Sequence, residues 1–223
     1  MVGVTGSNPV RSTMKTVILI TAIFYAAFVS GQSDYTIIYN HSDGVVSFKK
    51  QKELNDFDRQ EILYTNGDSI SFYSFQQQQP HKKDSTVGGK KDHHAVFTFL
   101  KLKVMLHENV WNKPYNLTES ELRSFNWKMH TDTMRIAGYL CHVAVDDGLV
   151  AWYTNEIPFS FGPMMYNGLP GLILMIEDHR NKILIKAASI TKYAPAIVLP
   201  DLPIKSCKNC NTQSAAIKKY FSN

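Results

Sequence analysis

The stretch Gly168-Leu169-Pro170-Gly171-Leu172-Ile173, continued by Leu174-Met175-Ile176, commits more backbone geometry than any other part of the chain. Two glycines flank a dipeptide that ends in Pro170, so the chain must turn there. Glycine reaches φ values that other residues avoid, and proline fixes φ while removing a donor. Residues 172–176 follow at once, apolar without interruption and of strand length, which predicts a strand buried on both faces. The rest of the domain is expected to assemble around that strand.

Working outward, residues 182–190 supply its hairpin partner across a turn at 178–181. Upstream, residues 138–145 and 149–153 form a second hairpin around Asp146-Asp147-Gly148, preceded by strand pieces at 124–130 and 133–136. In the N-terminal half the clearest hairpin joins residues 62–65 to 69–75 through Asn66-Gly67, the dipeptide a type I′ turn prefers. Residues 35–39 and 45–48 read as short strands about Asp43-Gly44, and 51–61 as a loop or short helix. Residues 96–106 alternate well enough for one long strand. Thr118-Glu119-Ser120-Glu121 has the look of a helix start, with a capping Thr and a Glu three on. Repeated strands, Gly/Asn/Asp turns and few helical periods predict a mainly β fold with few short helices. The expected form is a curved antiparallel sheet resembling an open half-barrel.

The ends read differently. From Thr16 to Val29 the chain is almost wholly apolar, after Met14-Lys15 and before Ser30-Gly31. A basic start, a short apolar core and a small-residue exit describe a secretory signal peptide, too short for a spanning helix. The expected organisation is therefore an upstream extension at 1–13, a signal peptide at 14–31 cleaved after Gly31, and one β-rich domain at 32–194. A flexible loop insertion is expected at 76–94, and an irregular tail at 195–223 with a short helix at 215–220. A retained membrane anchor is the competing reading of the N-terminus.

At 44% hydrophobic and 19% charged residues, the chain is of ordinary globular composition. Removing 1–31 takes away Arg11 and Lys15 and no acid. That leaves 22 basic against 19 acidic residues, a net +3, with no concentrated basic face to suggest nucleic-acid binding.

Cys141, Cys207 and Cys210 would meet an oxidising compartment on export. The pair Cys207-Lys208-Asn209-Cys210 is compatible with a zinc half-site, a redox pair or a disulfide. One CxxC in a polar tail is weak evidence for the first two. A structural disulfide is expected, within the pair or from one of its members to Cys141.

A longer pattern surrounds the opening stretch. It comprises Phe125-x-Trp127; Thr133-x-x-Ile136-x-Gly138-Tyr139-x-Cys141-x-x-Ala144; Ala151-Trp152-Tyr153-Thr154-x-x-Ile157-Pro158-x-x-x-Gly162-Pro163; and Gly168 to Ile173 with Leu174-x-Ile176-x-Asp178. This series resembles the GLPGLI family of exported Bacteroidetes proteins. The resemblance implies a cell-envelope or secreted location (periplasm or outer-membrane periphery) and brings no activity with it. In layout the chain is similar to the half-barrels of periplasmic lipoprotein carriers, which hold apolar ligands in a concave sheet.

Candidate sites are few. Trp152, Tyr153 and Tyr166 could line a ligand groove beside the turn, although large aromatics pack sheet cores anyway. Glu156 and Asp178 would need to face each other across a cleft to serve a hydrolase, and Asp178 is well explained by turn chemistry. Cys141 and His142 are strand neighbours and point to opposite faces, so they make no nucleophile–base pair. His81, His93 and His94 fall in a polar stretch without metal-ligand spacing, and no catalytic motif, metal or cofactor is expected. Asn116-Leu117-Thr118 is formally a glycosylation sequon. The reading is a non-catalytic exported protein that binds or carries an apolar or peptidic ligand, or an outer-membrane partner. An envelope hydrolase with a site not legible in sequence, and a structural part of an outer-membrane complex, are the alternatives.

Overall fold

The computed structural model describes residues 34–44, 59–67, 70–77, 92–109, 116–205 and 214–221. They begin with a meander of six strands: β1 (Tyr35–Asp43), β2 (Arg59–Asn66), β3 (Ile70–Gln77), β4 (Asp92–Phe99), β5 (Val104–Asn109) and β6 (Asn116–Glu121). A second meander follows with β7 (Lys128–Ile136), β8 (Tyr139–Asp146), β9 (Leu149–Thr154), β10 (Leu172–Asp178) and β11 (Ile183–Thr191). The two fuse where β1 pairs antiparallel with β11, so the first strand meets the last of the two meanders. A two-residue strand, β12 (Ile204–Lys205), then adds parallel to β6. Among the described residues this makes one twelve-stranded sheet, mainly β, not closed into a barrel, with edges at β12 and β7. Among the described residues one short helix, α1 (Ser214–Tyr220), follows.

The strand behind the Gly-Pro turn is buried at every position, as its unbroken apolar run predicts. It lies between β9 and β11, with partners on both sides. Its start is also bonded from the connection 155–171: the Leu172 amide donates to Ile157 (2.9 Å) and the Ile173 amide to Phe161 (2.9 Å). The Tyr39 hydroxyl, fully buried on β1, donates to the Ile173 carbonyl at 2.6 Å and ties the two meanders together.

Apolar side chains gather in three places. One cluster joins Ile37, Tyr39 and Leu63 of the first meander to Phe159, Leu172 and Ile185 of the second. Another lies under the Gly-Pro turn, where Ala151, Tyr153 and Ile176 meet Tyr166 and Leu169. The third packs Ile217 of α1 and the strap residues Leu199 and Leu202 against Phe97, Phe99 and Leu106.

Several local expectations give way to strand pairing. The helix start at Thr118 is strand β6 instead, since its residues pair one for one with β5, and a cap outweighs such a ladder only when the segment stands alone. The long strand at 96–106 breaks into β4 and β5 at Leu100–Lys103, where Lys103 adopts φ 54° and donates its amide to Leu100 at 3.1 Å. Arg59, Gln60 and Glu61 open β2, and Asp92, His93 and His94 open β4, where loops were expected. Backbone pairing with a neighbour needs no apolar period in the pairing strand. Residues 124–127 form no strand, and β7 begins only at Lys128. The strand expected at 45–48, most of the loop expected at 76–94, His81, Cys207 and Cys210 lie outside the described residues.

Candidate functional site

The Gly-Pro turn is held by its backbone, as its composition suggests. Gly168 has φ +89°, with the Trp127 indole 3.7 Å from where its Cβ would stand. Its amide donates to Ser160 Oγ at 3.0 Å. A Cβ on Gly171 would be driven into the Thr154 carbonyl at the end of β9. Leu169, Leu172 and Ile173 are buried and Pro170 is exposed. These six residues shape the entry to β10 and present no reactive side chain.

Tyr166, in the connection 155–171, reaches Asp178 at the far end of β10. The Tyr166 hydroxyl donates to Asp178 Oδ2 at 3.1 Å. Asp178 also accepts the amides of Arg180 and Asn181, each at 3.0 Å, and the Asn181 side chain at 2.7 Å. Burial raises the Asp178 carboxyl, but the bonds from Asn181, Tyr166 and Arg180 outweigh it and hold the group below the ordinary carboxylate value. Burial, with the Asp178 charge behind it, pushes the Tyr166 hydroxyl well above the ordinary tyrosine value. Asp178 is a turn and anchor residue, in keeping with its sequence context.

Outside this pair lies an aromatic cap. Phe125 stacks on Trp127 at 5.1 Å and meets Tyr166 at 5.7 Å, and the Trp127 indole donates to the Asn167 carbonyl at 2.8 Å. The Arg123 guanidinium sits over Phe125 at 4.9 Å. Alternation along 125–129 brings Phe125, Trp127 and Met129 to one side. Met129 there accepts the Tyr153 hydroxyl at its sulfur (3.3 Å) and is 52% exposed.

The three aromatic candidates do not share a groove. Tyr153 and Tyr166 both belong to the cluster beneath the turn. Trp152 precedes Tyr153 on β9 and therefore points to the opposite face, where it packs on the other cluster. The strand register sets Trp152 beside Val143 and Met175, with Lys186 beyond Met175 and Asn40 beyond that. Trp152 is half-buried, but its indole nitrogen is sealed from solvent and has no hydrogen-bond partner among the described residues. A buried tryptophan N–H ordinarily finds one.

Glu156 and Asp178 do not come together as a catalytic pair. Glu156 is exposed at the far end of β9, and its Oε1 accepts the Leu140 amide at 2.9 Å. Cys141 is a fully buried thiol, free among the described residues, and its expected partners Cys207 and Cys210 lie outside them. Burial pushes its pKa up to about 12, far from a nucleophile's range. Asn116 of the sequon is 2% exposed within β6, which leaves no room for a glycan.

One constellation has no counterpart in the sequence reading. His41 Nδ1 stands 2.6 Å from Glu61 Oε1, with both side chains fully buried, and Nε2 lies 2.9 Å from Asp43 Oδ1. Arg59 reaches Glu61 through Nε (2.9 Å) and Asp43 through a terminal nitrogen (3.0 Å), and the Tyr73 hydroxyl donates to Glu61 Oε2. The available signal was the spacing of Tyr39, His41 and Asp43 on one strand face, opposite Arg59 and Glu61. Reading 51–61 as a loop or short helix concealed it.

Residues 145–175, from the end of β8 into β10, match a Bacteroidetes-associated family described as "Protein of unknown function (Porph_ging)". None of the curated proteins matches the chain. Among solved structures, "Structure of PNGF-II in C2 space group" is similar over 86% of this chain and 33% of that one, at 17% identity and a TM-score of 0.56. "Structure of PNGF-II in P21 space group" is similar over 78% and 32%, at 18% identity and the same score. This chain thus spans about a third of the length of either, and the likeness is one of fold.

Proposed function

We propose that this is an exported, non-catalytic binding protein of the Gram-negative cell envelope, of the GLPGLI type, that takes its ligand or outer-membrane partner at Trp152. The observation that carries the reading is the sealed, unpartnered indole N–H on the face of β9 opposite the Gly-Pro turn. Leaving such a donor unpaired costs about 1–3 kcal/mol. An acceptor on a ligand that displaces the side chains sealing this nitrogen recovers that cost, and a hydrocarbon does not. The site therefore favours a ligand with a carbonyl or similar oxygen, which prefers a peptidic ligand over a purely apolar one. The half-buried Trp152 ring supplies the apolar contact and Asn40, farther along the same register row, a second polar group.

The acids nearest the family-like pattern support a non-catalytic role. Asp178 is occupied by Tyr166, Arg180 and Asn181, and Glu156 by the Leu140 amide. Export rests on the signal-peptide pattern at 14–31, with Gln32 as the mature N-terminus. Intact mass of the envelope-extracted protein tests it, and a mass that retains residues 1–31 counts against it.

The binding reading is tested with two variants. Trp152→Phe keeps the ring and removes the donor, and should cost ligand retention about tenfold, the equivalent of one hydrogen bond. Trp152→Ala should abolish retention. Circular dichroism and thermal melting check that each variant folds. Retention by Trp152→Phe equal to wild type would remove the indole N–H from the site.

A further inference from the structure

The Tyr153 hydroxyl has an unusual acceptor. Tyr153 is buried on β9, and among the described residues the partner of its hydroxyl is a thioether, Met129 Sδ at 3.3 Å. Thioether sulfur accepts hydrogen bonds weakly. Burial raises the Tyr153 pKa, so the phenol keeps its proton and stays the donor of this pair.

Met129 lies on the edge strand of the sheet. It pairs with Ala144, and the ladder then slips over residues 130–132 before Thr133 meets His142. Met129 is 52% exposed. Of the other methionines among the described residues, Met105 and Met175 are buried, and Met134, Met164 and Met165 are half-buried. The Cys141 thiol is sealed and holds its proton. Among the described residues the sulfur side chain most open to solvent is therefore Met129, and Tyr153 engages one of its two sulfur lone pairs.

We propose that Met129 is a reversible oxidation site, oxidised by hydroperoxides at the lone pair that Tyr153 leaves free, and so to one sulfoxide epimer. That lone pair attacks an oxygen of the peroxide. An S–O bond forms and the O–O bond breaks. The proton of the attacked oxygen passes to the leaving one, which departs as water or an alcohol. Sulfur loses two electrons and the peroxide gains them. The product is a polar, chiral side chain at the start of β7, on the side of Phe125 and Trp127, and a reductase that draws two electrons from a dithiol reverses it. The site is independent of the Trp152 reading, since it meets the opposite face of β9.

The test is limited treatment of the whole protein with hydrogen peroxide, with peptide mass spectrometry locating each sulfoxide. Met129 should oxidise about tenfold faster than Met105 and Met175. The epimers are told apart by the two methionine sulfoxide reductases, each of which reduces one of them, with dithiothreitol supplying the electrons. In the folded protein one epimer at Met129 should exceed the other about tenfold, whereas in urea-unfolded protein the two should form equally. Tyr153→Phe, checked for folding by thermal melting, frees the second lone pair and should bring the ratio close to even. Met105 or Met175 oxidising as fast as Met129, equal epimers in the folded wild type, or a folded Tyr153→Phe protein with the wild-type ratio would each overturn the proposal. Should the variant fail to fold, the comparison of folded with unfolded wild type decides alone.

Discussion

At the scale of single residues, the two motif glycines are there for different reasons, and their replacements should separate. Gly171 has backbone where its Cβ would go, so Gly171→Ala must displace the end of β9. A loss of about 3 kcal/mol or more is expected in urea unfolding. Gly168 needs its left-handed φ of +89° but has room, so Gly168→Ala should lose only about 1 kcal/mol. Equal losses would mean that the close approach to Thr154 is not what Gly171 serves. Asp178 links stability to pH. Its carboxyl is held below the ordinary value of 3.8 in the folded protein, so its contribution is complete above that value and is lost as pH falls through the folded value. The urea midpoint should therefore fall as pH drops below about 4, and Asp178→Asn should flatten that part of the curve. Tyr166→Phe, which removes one bond to this carboxylate, should lose about 1–2 kcal/mol at neutral pH. Cys141, sealed and with its pKa pushed up to about 12, should resist thiol reagents at pH 8 until the protein unfolds. Prompt labelling in the folded state would contradict its burial.

At the scale of elements, what the sequence revealed depended on how local the cause was. The β8–β9 turn was legible because Asp147 and Gly148 carry their own left-handed geometry, at φ 33° and 82°. Gly67 marked the β2–β3 turn in the same way, at φ 54°. The break between β4 and β5 was not legible, because Lys103 sits at φ 54° with no glycine or asparagine to announce it. Lys103→Gly should accordingly be neutral or stabilising by about 0.5–1 kcal/mol, measured as a shift in urea midpoint. A clear loss would show that the Lys103 side chain contributes more than its backbone costs. Strand β6 was mistaken for a helix start since its pairing with β5 is tertiary information. The candidate trio of aromatics divided for an equally simple reason. Trp152 and Tyr153 are neighbours in a strand, and the sheet sends them to opposite faces.

At the scale of the whole molecule, one open sheet formed from two meanders explains both what was foreseen and what was missed. Its strand β10 is interior and fully buried, which the apolar run 172–176 states directly. The pairing of β1 with β11 brings together residues about 150 positions apart, and no local pattern encodes that. The His41 cluster depends on three strands in register, and the isolation of the Trp152 nitrogen on its neighbours across β8 and β10. The claim most exposed to test is that this nitrogen awaits a ligand's acceptor. Native mass spectrometry of wild-type and Trp152→Phe protein, each extracted gently from its own cell envelope, tests it most directly. The wild type should carry a bound mass that the variant largely loses while keeping its fold. An identical bound mass on both, or none on either, would contradict it.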